Sequence, residues 1–214
     1  MAKGEWLMVK VIRFEEGLSL AEYLQKEQDL VKQVEEPTLF TWIVQPTVIY
    51  GRHQQAEVEV NEAYCREHGI RVVQRKSGGG CVYADEGNLM ISYVTPDTHS
   101  EKVFSAFIGS VADVLRKHGV PAVTTAHNDI LVADRKVSGW ACYTAPTGTI
   151  VHGTMLYDVD IEAMRQAITP TEQKLQKHGV ASVRQRVVNL RELTDAFPDI
   201  QTLRQAIEDA YATK

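Results

Sequence analysis

The strongest constraint on the fold is the spacing of apolar residues, which falls into short runs of strand length alternating with stretches of helical spacing. Strand-type runs cover Trp6 to Phe14, Leu39 to Ile43, Thr47 to Tyr50, Ile70 to Gln74, Gly80 to Ala84, Leu89 to Val94, Asp129 to Val132, Lys136 to Tyr143 and Thr149 to Tyr157. Gln45-Pro46 breaks the second from the third, because proline cannot donate to a central ladder. Helical spacing predicts Ser19 to Leu30, capped by Ser19, then Glu59 to His68 and Glu101 to His118. The last is the clearest, with Phe104, Phe107, Ile108, Val111, Val114 and Leu115 along one stripe. The tail is predicted helical over Ile161 to Ala167, Glu172 to His178 and Thr202 to Tyr211. No low-complexity linker divides the chain.

At 214 residues, 44% of them hydrophobic and 24% charged, the chain is sized for one substantial core, so a single domain over residues 1–214 is expected. Disorder, collagen and coiled coil are excluded by the same figures. Lys plus Arg number 23 against 28 Asp plus Glu; a net charge of -5 lacks the positive field of non-specific nucleic-acid binders. Cys65, Cys81 and Cys142 form no CxxC pair and no disulfide framework, which suits a reducing cytoplasm. The N-terminus carries no apolar run of signal-peptide length, and no stretch approaches the ~20 apolar residues of a membrane helix. Neither nucleic acid nor membrane is an expected partner.

A triplet of similar sites, His68-Gly69, His118-Gly119 and His178-Gly179, is explained locally. Each stands at the end of a helical stretch, where Gly supplies a left-handed residue and the His suits the negative end of the helix dipole. His53, His99, His127 and His152 remain, and none has the spacing of a structural metal site.

Three segments carry potential chemistry. In Arg75-Lys76-Ser77-Gly78-Gly79-Gly80-Cys81-Val82-Tyr83, three glycines leave a bare backbone whose N–H groups a phosphate or carboxylate can approach, beside two cations. A plain glycine hairpin turn is the alternative; GxxxxGK[ST] and GxGxxG are both absent. Second, Asn128-Asp129 opens an apolar run that leads into Asp134-Arg135-Lys136-Val137-Ser138-Gly139. A lysine partly buried in such a strand needs an anionic partner, which a bound phosphate or carboxylate can supply; an exposed hairpin face is the alternative. Third, alternation in Val151-His152-Gly153-Thr154 puts His152 and Thr154 on one strand face. A turn at Pro146-Thr147 would fold this strand back on Lys136 and let the three segments converge, although a slip of one residue would reverse the facing side chains.

In this order the segments resemble the catalytic domain of lipoate-protein ligases, within the biotin/lipoate ligase family. The resemblance rests on Arg75, Ser77, Gly78, Gly79, Gly80, Val82 and Tyr83, on Gly87-Asn88, on Asn128-Asp129, on Asp134 to Gly139 around Lys136, and on His152-Gly153-Thr154. The tail, with Ser182-Val183-Arg184, Arg186-Val187 and Asn189-Leu190, is similar too. Departures are Gln74 where the family often has Arg, Lys76 where Ser is common, Ala84 where His is common, and Leu20-Ala21-Glu22-Tyr23 in place of a richer acidic pattern; His127 argues against biotin.

The resemblance implies an α+β fold of the class II synthetase type, a mixed and largely antiparallel sheet flanked by helices. It implies a carboxylate of lipoate or octanoate attacking the α-phosphate of ATP, with Mg²⁺ bridging phosphates, and the acyl-adenylate then acylating a lysine on an apo lipoyl domain or H-protein-like acceptor. Lys136 takes the catalytic role. The nucleotide and acyl group fall to Arg75, Ser77, Gly78, Gly79, Gly80, Cys81, Val82, Tyr83, Asn88, Asn128, Asp129, Ser138, Gly139, His152 and Thr154, with Asp129 near the metal and the acyl chain in a slot between sheet and first helix. Two-domain ligases continue beyond the point matching Lys214, so slow adenylation by this chain alone is expected, with either a separately encoded accessory domain closing the site or the loops closing unaided. The rivals are an octanoyltransferase using a Cys thiolate and a catalytically silent relative that binds the adenylate or a partner.

Overall fold

The fold is seen in a computed structural model that describes residues 9–126, 128–168 and 187–212. In chain order the elements are β1 (Lys10–Val11), α1 (Leu20–Lys32), β2 (Thr38–Trp42), β3 (Thr47–Tyr50), α2 (Ala56–Glu59), α3 (Glu62–Glu67), β4 (Arg71–Gln74), β5 (Val82–Ala84), β6 (Asn88–Thr95), α4 (Ser100–Lys117), β7 (Ala122–Thr124), β8 (Asp129–Val132), β9 (Arg135–Ala145), β10 (Gly148–Leu156), α5 (Ile161–Ala167) and α6 (Ile200–Tyr211). A seven-stranded sheet runs β1-β2-β6-β10-β9-β8-β7 and a three-stranded one β4-β3-β5. Only β1 with β2 and β3 with β4 pair in parallel; the remaining pairs are antiparallel, giving the expected mixed, largely antiparallel α+β architecture.

Alternation along the strands sorts the large sheet into two faces. Leu39, Ile91, Val151 and Met155 pack with Phe107, Val111 and Leu115 of α4 and with Leu203 and Ile207 of α6. Their neighbours Phe40, Trp42, Met90, Val94 and Ile150 pack with Leu20, Tyr23 and Val31 of α1 and with Ile49 and Ala84 of the small sheet. Ser19 caps α1 with a full capping box: its hydroxyl accepts from Glu22 N, and Glu22 Oε2 accepts from Ser19 N at 2.7 Å. The expected turn is present at Pro146-Thr147, and β10 folds back on β9 with His152 opposite Ala141 and Thr154 opposite Gly139. The far side of β10 pairs His152 with Ser92 of β6.

Where the sequence suggested one helix over Glu59 to His68, there are two short ones, because Val60 turns extended and Asn61 Oδ1 accepts from Tyr64 N to start α3. Of the strand expected over Trp6 to Phe14, the described residues form a strand at Lys10–Val11, with Val9 bridging Ala212 in parallel. Edge strand β7 was not expected; it follows Pro121, and Val123 on it is exposed. His68 and His118 do cap α3 and α4, each followed by a Gly of positive φ (66° and 81°). His127, Trp6, the Glu172 to His178 stretch, His178-Gly179, Ser182-Val183-Arg184 and Arg186 lie outside the described residues.

In β9, Asp129 pairs with Gly139 and Ile130 with Ser138, but Leu131 pairs with Lys136, leaving Val137 as one extra residue. This bulge makes the strand skip a beat, so Val137 is buried in the α4-side core while Lys136, Gly139 and Ala141 all reach the other face.

Candidate active site

A cavity of about 640 Å³ opens where α1, the small sheet, the glycine loop, β8, β9 and β10 meet. Leu24, Trp42, Ile49, Val82, Met90, Trp140 and Ala141 give it an apolar wall; Arg75, Asn128, Asp129, Lys136, His152 and Thr154 give it a polar one, and Gly79, Gly80, Cys81, Gly139 and Gly153 complete it. The three sequence segments therefore do meet around one space.

The glycine loop is stapled from below by Arg75, which is 6% exposed. Its Nε donates to Ser77 Oγ (3.0 Å) and Gly78 O (3.2 Å), Nη1 to Ile49 O (3.2 Å), and Nη2 to Gly78 O (2.8 Å) and Gly80 O (2.7 Å). Burial pushes its pKa below the ordinary guanidinium value, a nearby Cys81 acting the other way, yet arginine starts so high that it stays charged. So Arg75 spends its donors on the loop's own oxygens and lends the cavity its charge. Gly79 has φ +94°, and a Cβ there would stand 2.9 Å from Arg75 Nη2. A Cβ on Gly51 would meet Gly79 O at 2.3 Å, so the loop also needs glycine beneath it.

Lys136 Nζ lies 2.8 Å from Asp129 Oδ1, with the side chains 23% and 6% exposed. The anionic partner that its burial demanded is thus present within the protein. Asn128, beside it, holds φ 65°, a left-handed conformation that Asn tolerates better than most residues, and its carbonyl accepts from Trp140 N at 3.1 Å. Gly139 keeps the lysine's path open: a Cβ there would sit 3.0 Å from Lys136 Cε and Nζ.

Five residues of the sequence reading stand off the large cavity's wall. Ser138 is fully buried and donates through Oγ to Thr154 O at 2.5 Å. Asn88 is fully buried, its Nδ2 donating to Tyr83 O at 3.4 Å, and Tyr83 itself packs with Val48 and Leu156. Gly78 offers its carbonyl to Arg75, and Ser77 faces a smaller cavity of about 130 Å³ under α1. Sequence reasoning passed over Glu27, which is 1% exposed and receives His152 Nδ1 at 2.9 Å and the Ser92 hydroxyl at 2.6 Å. Its signal was available: Glu27 sits on the buried stripe Leu20, Tyr23, Val31 of α1, where a charge is out of place.

A mixed sheet carrying a glycine loop, an arginine staple and a strand lysine over a deep cavity defines an α+β domain built around a site for an anionic ligand with an apolar part. The chain belongs to the lipoyl protein ligase A/B catalytic domain family, whose profile matches residues 14–212. It is 37% identical to lipoate-protein ligase LplJ of Bacillus subtilis over 84% of this chain and 53% of that protein. It is 34% identical to lipoate–protein ligase 1 of Staphylococcus aureus over 89% of this chain and 57% of that one. The chain spans about half the length of the curated relatives it matches. Among solved structures, it superposes on a bipartite lipoate protein ligase of Thermoplasma acidophilum, described with its E2 lipoyl domain, with a TM-score of 0.82 at 24% identity over 96% of this chain and 82% of that one. Lipoate-protein ligase A bound with ATP gives 0.79 at 22% identity over 95% and 83%.

Proposed function

We propose that this chain forms an acyl-adenylate from ATP and lipoate or octanoate, and passes the acyl group to a lysine of an apo lipoyl domain or H-protein-like acceptor. The observation that carries this reading is the placement of Lys136 and the glycine loop over a cavity whose other wall is apolar. In the first step a carboxylate oxygen bonds to the α-phosphorus and pyrophosphate leaves. In the second the acceptor amine bonds to the acyl carbon, AMP leaves, and the amine loses a proton. Both steps gather negative charge on oxygens, which fixed cations and N–H donors stabilise without reorganising. Lys136 supplies a cation that Asp129 holds in place, and the loop backbone supplies N–H groups. Leu24, Trp42, Ile49 and Met90 accept the acyl chain, and Thr154 and Asn128 complete the polar wall.

Magnesium fits this site only as a companion of the nucleotide. No group of three or more His, Cys, Asp or Glu among the described residues makes a metal cage, and Asp129 is the single carboxylate on the cavity wall. Mg²⁺ is commonly held by one or two carboxylates plus substrate phosphates, so Asp129 would hold it, and the ion would offset phosphate charge.

The test is incubation with ATP, lipoate and an apo lipoyl domain, read by intact mass; one lipoyl group added per acceptor is expected, and an unmodified acceptor overturns the reading. Repeating it with prepared lipoyl-adenylate isolates transfer, and acylation from that reagent alone would place this chain's own competence at the second step. A thiol route through Cys142 is disfavoured: burial pushes its thiol up, away from the thiolate form, and the residue packs against the α4-side core while Lys136 faces the cavity.

A further inference from the structure

A continuous line of hydrogen bonds crosses the molecule beneath the cavity, from β2 to the glycine loop. Trp42 Nε1 donates to Ser92 Oγ (2.8 Å), and Ser92 Oγ donates to Glu27 Oε1 (2.6 Å). Glu27 also receives His152 Nδ1 (2.9 Å), and His152 Nε2 meets Ser77 Oγ at 2.7 Å. Ser77 Oγ in turn receives Arg75 Nε at 3.0 Å, and that guanidinium holds Gly78 O and Gly80 O.

The direction of each bond follows from chemistry. Indole N–H and guanidinium N–H can only donate. Ser92, having accepted from Trp42, donates to the carboxylate; Ser77, having accepted from Arg75, has its own proton left for His152 Nε2. An imidazole that takes this proton on Nε2 is the neutral tautomer with its own proton on Nδ1, donated to Glu27. Two donor chains converge on one carboxylate, and every member is buried: Glu27 is 1% exposed, Ser77 2%, Ser92 fully buried and His152 9%.

Ser77, His152 and Glu27 stand in the order and at the distances of a hydrolytic triad. Ser77 is nevertheless no nucleophile here, since Arg75 pins its oxygen and it is absent from the wall of the large cavity. What the line does join is two sides of the site. Leu24, one turn before Glu27 on α1, and His152 both line the large cavity and the small one beneath α1, while Gly79 and Gly80 of the loop line the large cavity.

We propose that Glu27, His152 and Ser77 act as one positioning relay, in which Glu27 fixes the Nδ1–H tautomer of His152, His152 thereby accepts the Ser77 hydroxyl, and Ser77 locks Arg75 and with it the glycine loop. Its consequence for catalysis rests on the ligase reading above: the relay sets the loop for ATP. Ser77→Ala and Glu27→Gln each raise the KM for ATP about tenfold, the scale of one lost buried hydrogen bond. Ser77→Ala, which touches none of the apolar wall, keeps the KM for lipoate within about twofold of wild type, whereas Glu27 is also joined through Ser92 to Trp42 of that wall. Because the two residues touch only through His152, the double variant shows the same roughly tenfold rise instead of the hundredfold rise of independent sites.

The relay is checked apart from activity by ¹⁵N NMR of the His152 ring at mildly alkaline pH in the full chain. Wild type shows Nδ1 protonated and Nε2 bare, and Glu27→Gln loses that preference. A ring carrying its proton on Nε2, or on both nitrogens, overturns the relay, as does a multiplicative double variant. An unchanged KM for ATP in either folded single variant overturns it too. If wild type fails to ligate while the NMR signature holds and responds to Glu27→Gln, the ligase reading falls and the relay stands as a loop anchor. Should Ser77→Ala not fold, Glu27→Gln carries both readouts.

Discussion

At the scale of single residues, the site depends on two side chains whose surroundings leave them few alternatives. Lys136 is anchored by Asp129 at 2.8 Å and overlooks Gly139, where any side chain would crowd it. Lys136→Ala is therefore expected to abolish acylation of the acceptor, a loss of about a thousandfold or more on the scale of a removed electrostatic stabiliser, while far-UV circular dichroism stays that of wild type. Intact-mass kinetics decide it, and wild-type rates in the variant would remove Lys136 from the chemistry. Gly79 is constrained differently, by φ +94° and by Arg75 Nη2 at 2.9 Å from a would-be Cβ. Gly79→Val is expected to weaken ATP binding at least tenfold, more than it lowers the melting temperature, because a β-branched residue both resists that φ and pushes on the staple. Calorimetric titration with ATP gives the answer, and unchanged affinity would mark the loop as a turn and no more. These residues were legible in the sequence because three glycines beside two cations are rare and a lysine among apolar strand residues is conspicuous. Glu27 stood on the legible apolar stripe of α1, but its role did not show, since its partner His152 is 125 positions away and only the fold brings them together.

Elements were legible in proportion to the length of their periodic pattern. Helix α4 shows its stripe over about three turns, Phe104 to Leu115, and Ser19 announces α1 three residues ahead of Glu22. The hairpin β9–β10 was legible in Pro146-Thr147 and the β-type runs on either side. Short elements escaped: β7 has three residues, and the α2–α3 break depends on one side chain, Asn61 Oδ1, taking Tyr64 N. Asn61→Ala is accordingly expected to cost about 1 kcal/mol of stability in urea unfolding, the usual value of a lost N-cap. An unaltered midpoint would mean that packing of Cys65 and Tyr64 alone holds α3.

On the scale of the whole molecule, α6 is tied across the sheet to β2 by a buried charged cluster. Glu208 accepts from Thr41 Oγ1 (2.5 Å), Arg204 Nε (3.2 Å) and Arg13 Nε (2.9 Å). Burial alone would raise the Glu208 carboxyl, but the hydrogen bonds from Arg13 and Thr41 and the charges of Arg13 and Arg204 outweigh it and hold the pKa below the usual glutamate value. A depressed carboxyl contributes stability that is fully present above the unfolded pKa, about 4.3, and is lost as pH falls through the folded one. Glu208→Gln is expected to lower the melting temperature at neutral pH and to converge with wild type in acid, below the ordinary glutamate range; a gap independent of pH would refute the assignment. The alternative thiol chemistry is tested at this scale as well: Cys142→Ser is expected to keep most acylating activity, because the cysteine packs on the α4 side of the sheet while Lys136 faces the cavity. The bulge at Val137 decides something no substitution can repair. Lys136 and Gly139 stand three positions apart, an odd spacing that in a regular strand would put them on opposite faces, and they share the cavity only because Val137 is left unpaired. The same residues straightened into an unbulged strand of equal length would keep every chemical group and turn the lysine away from the loop, so the site is stored partly in one irregularity of backbone pairing that its composition does not record.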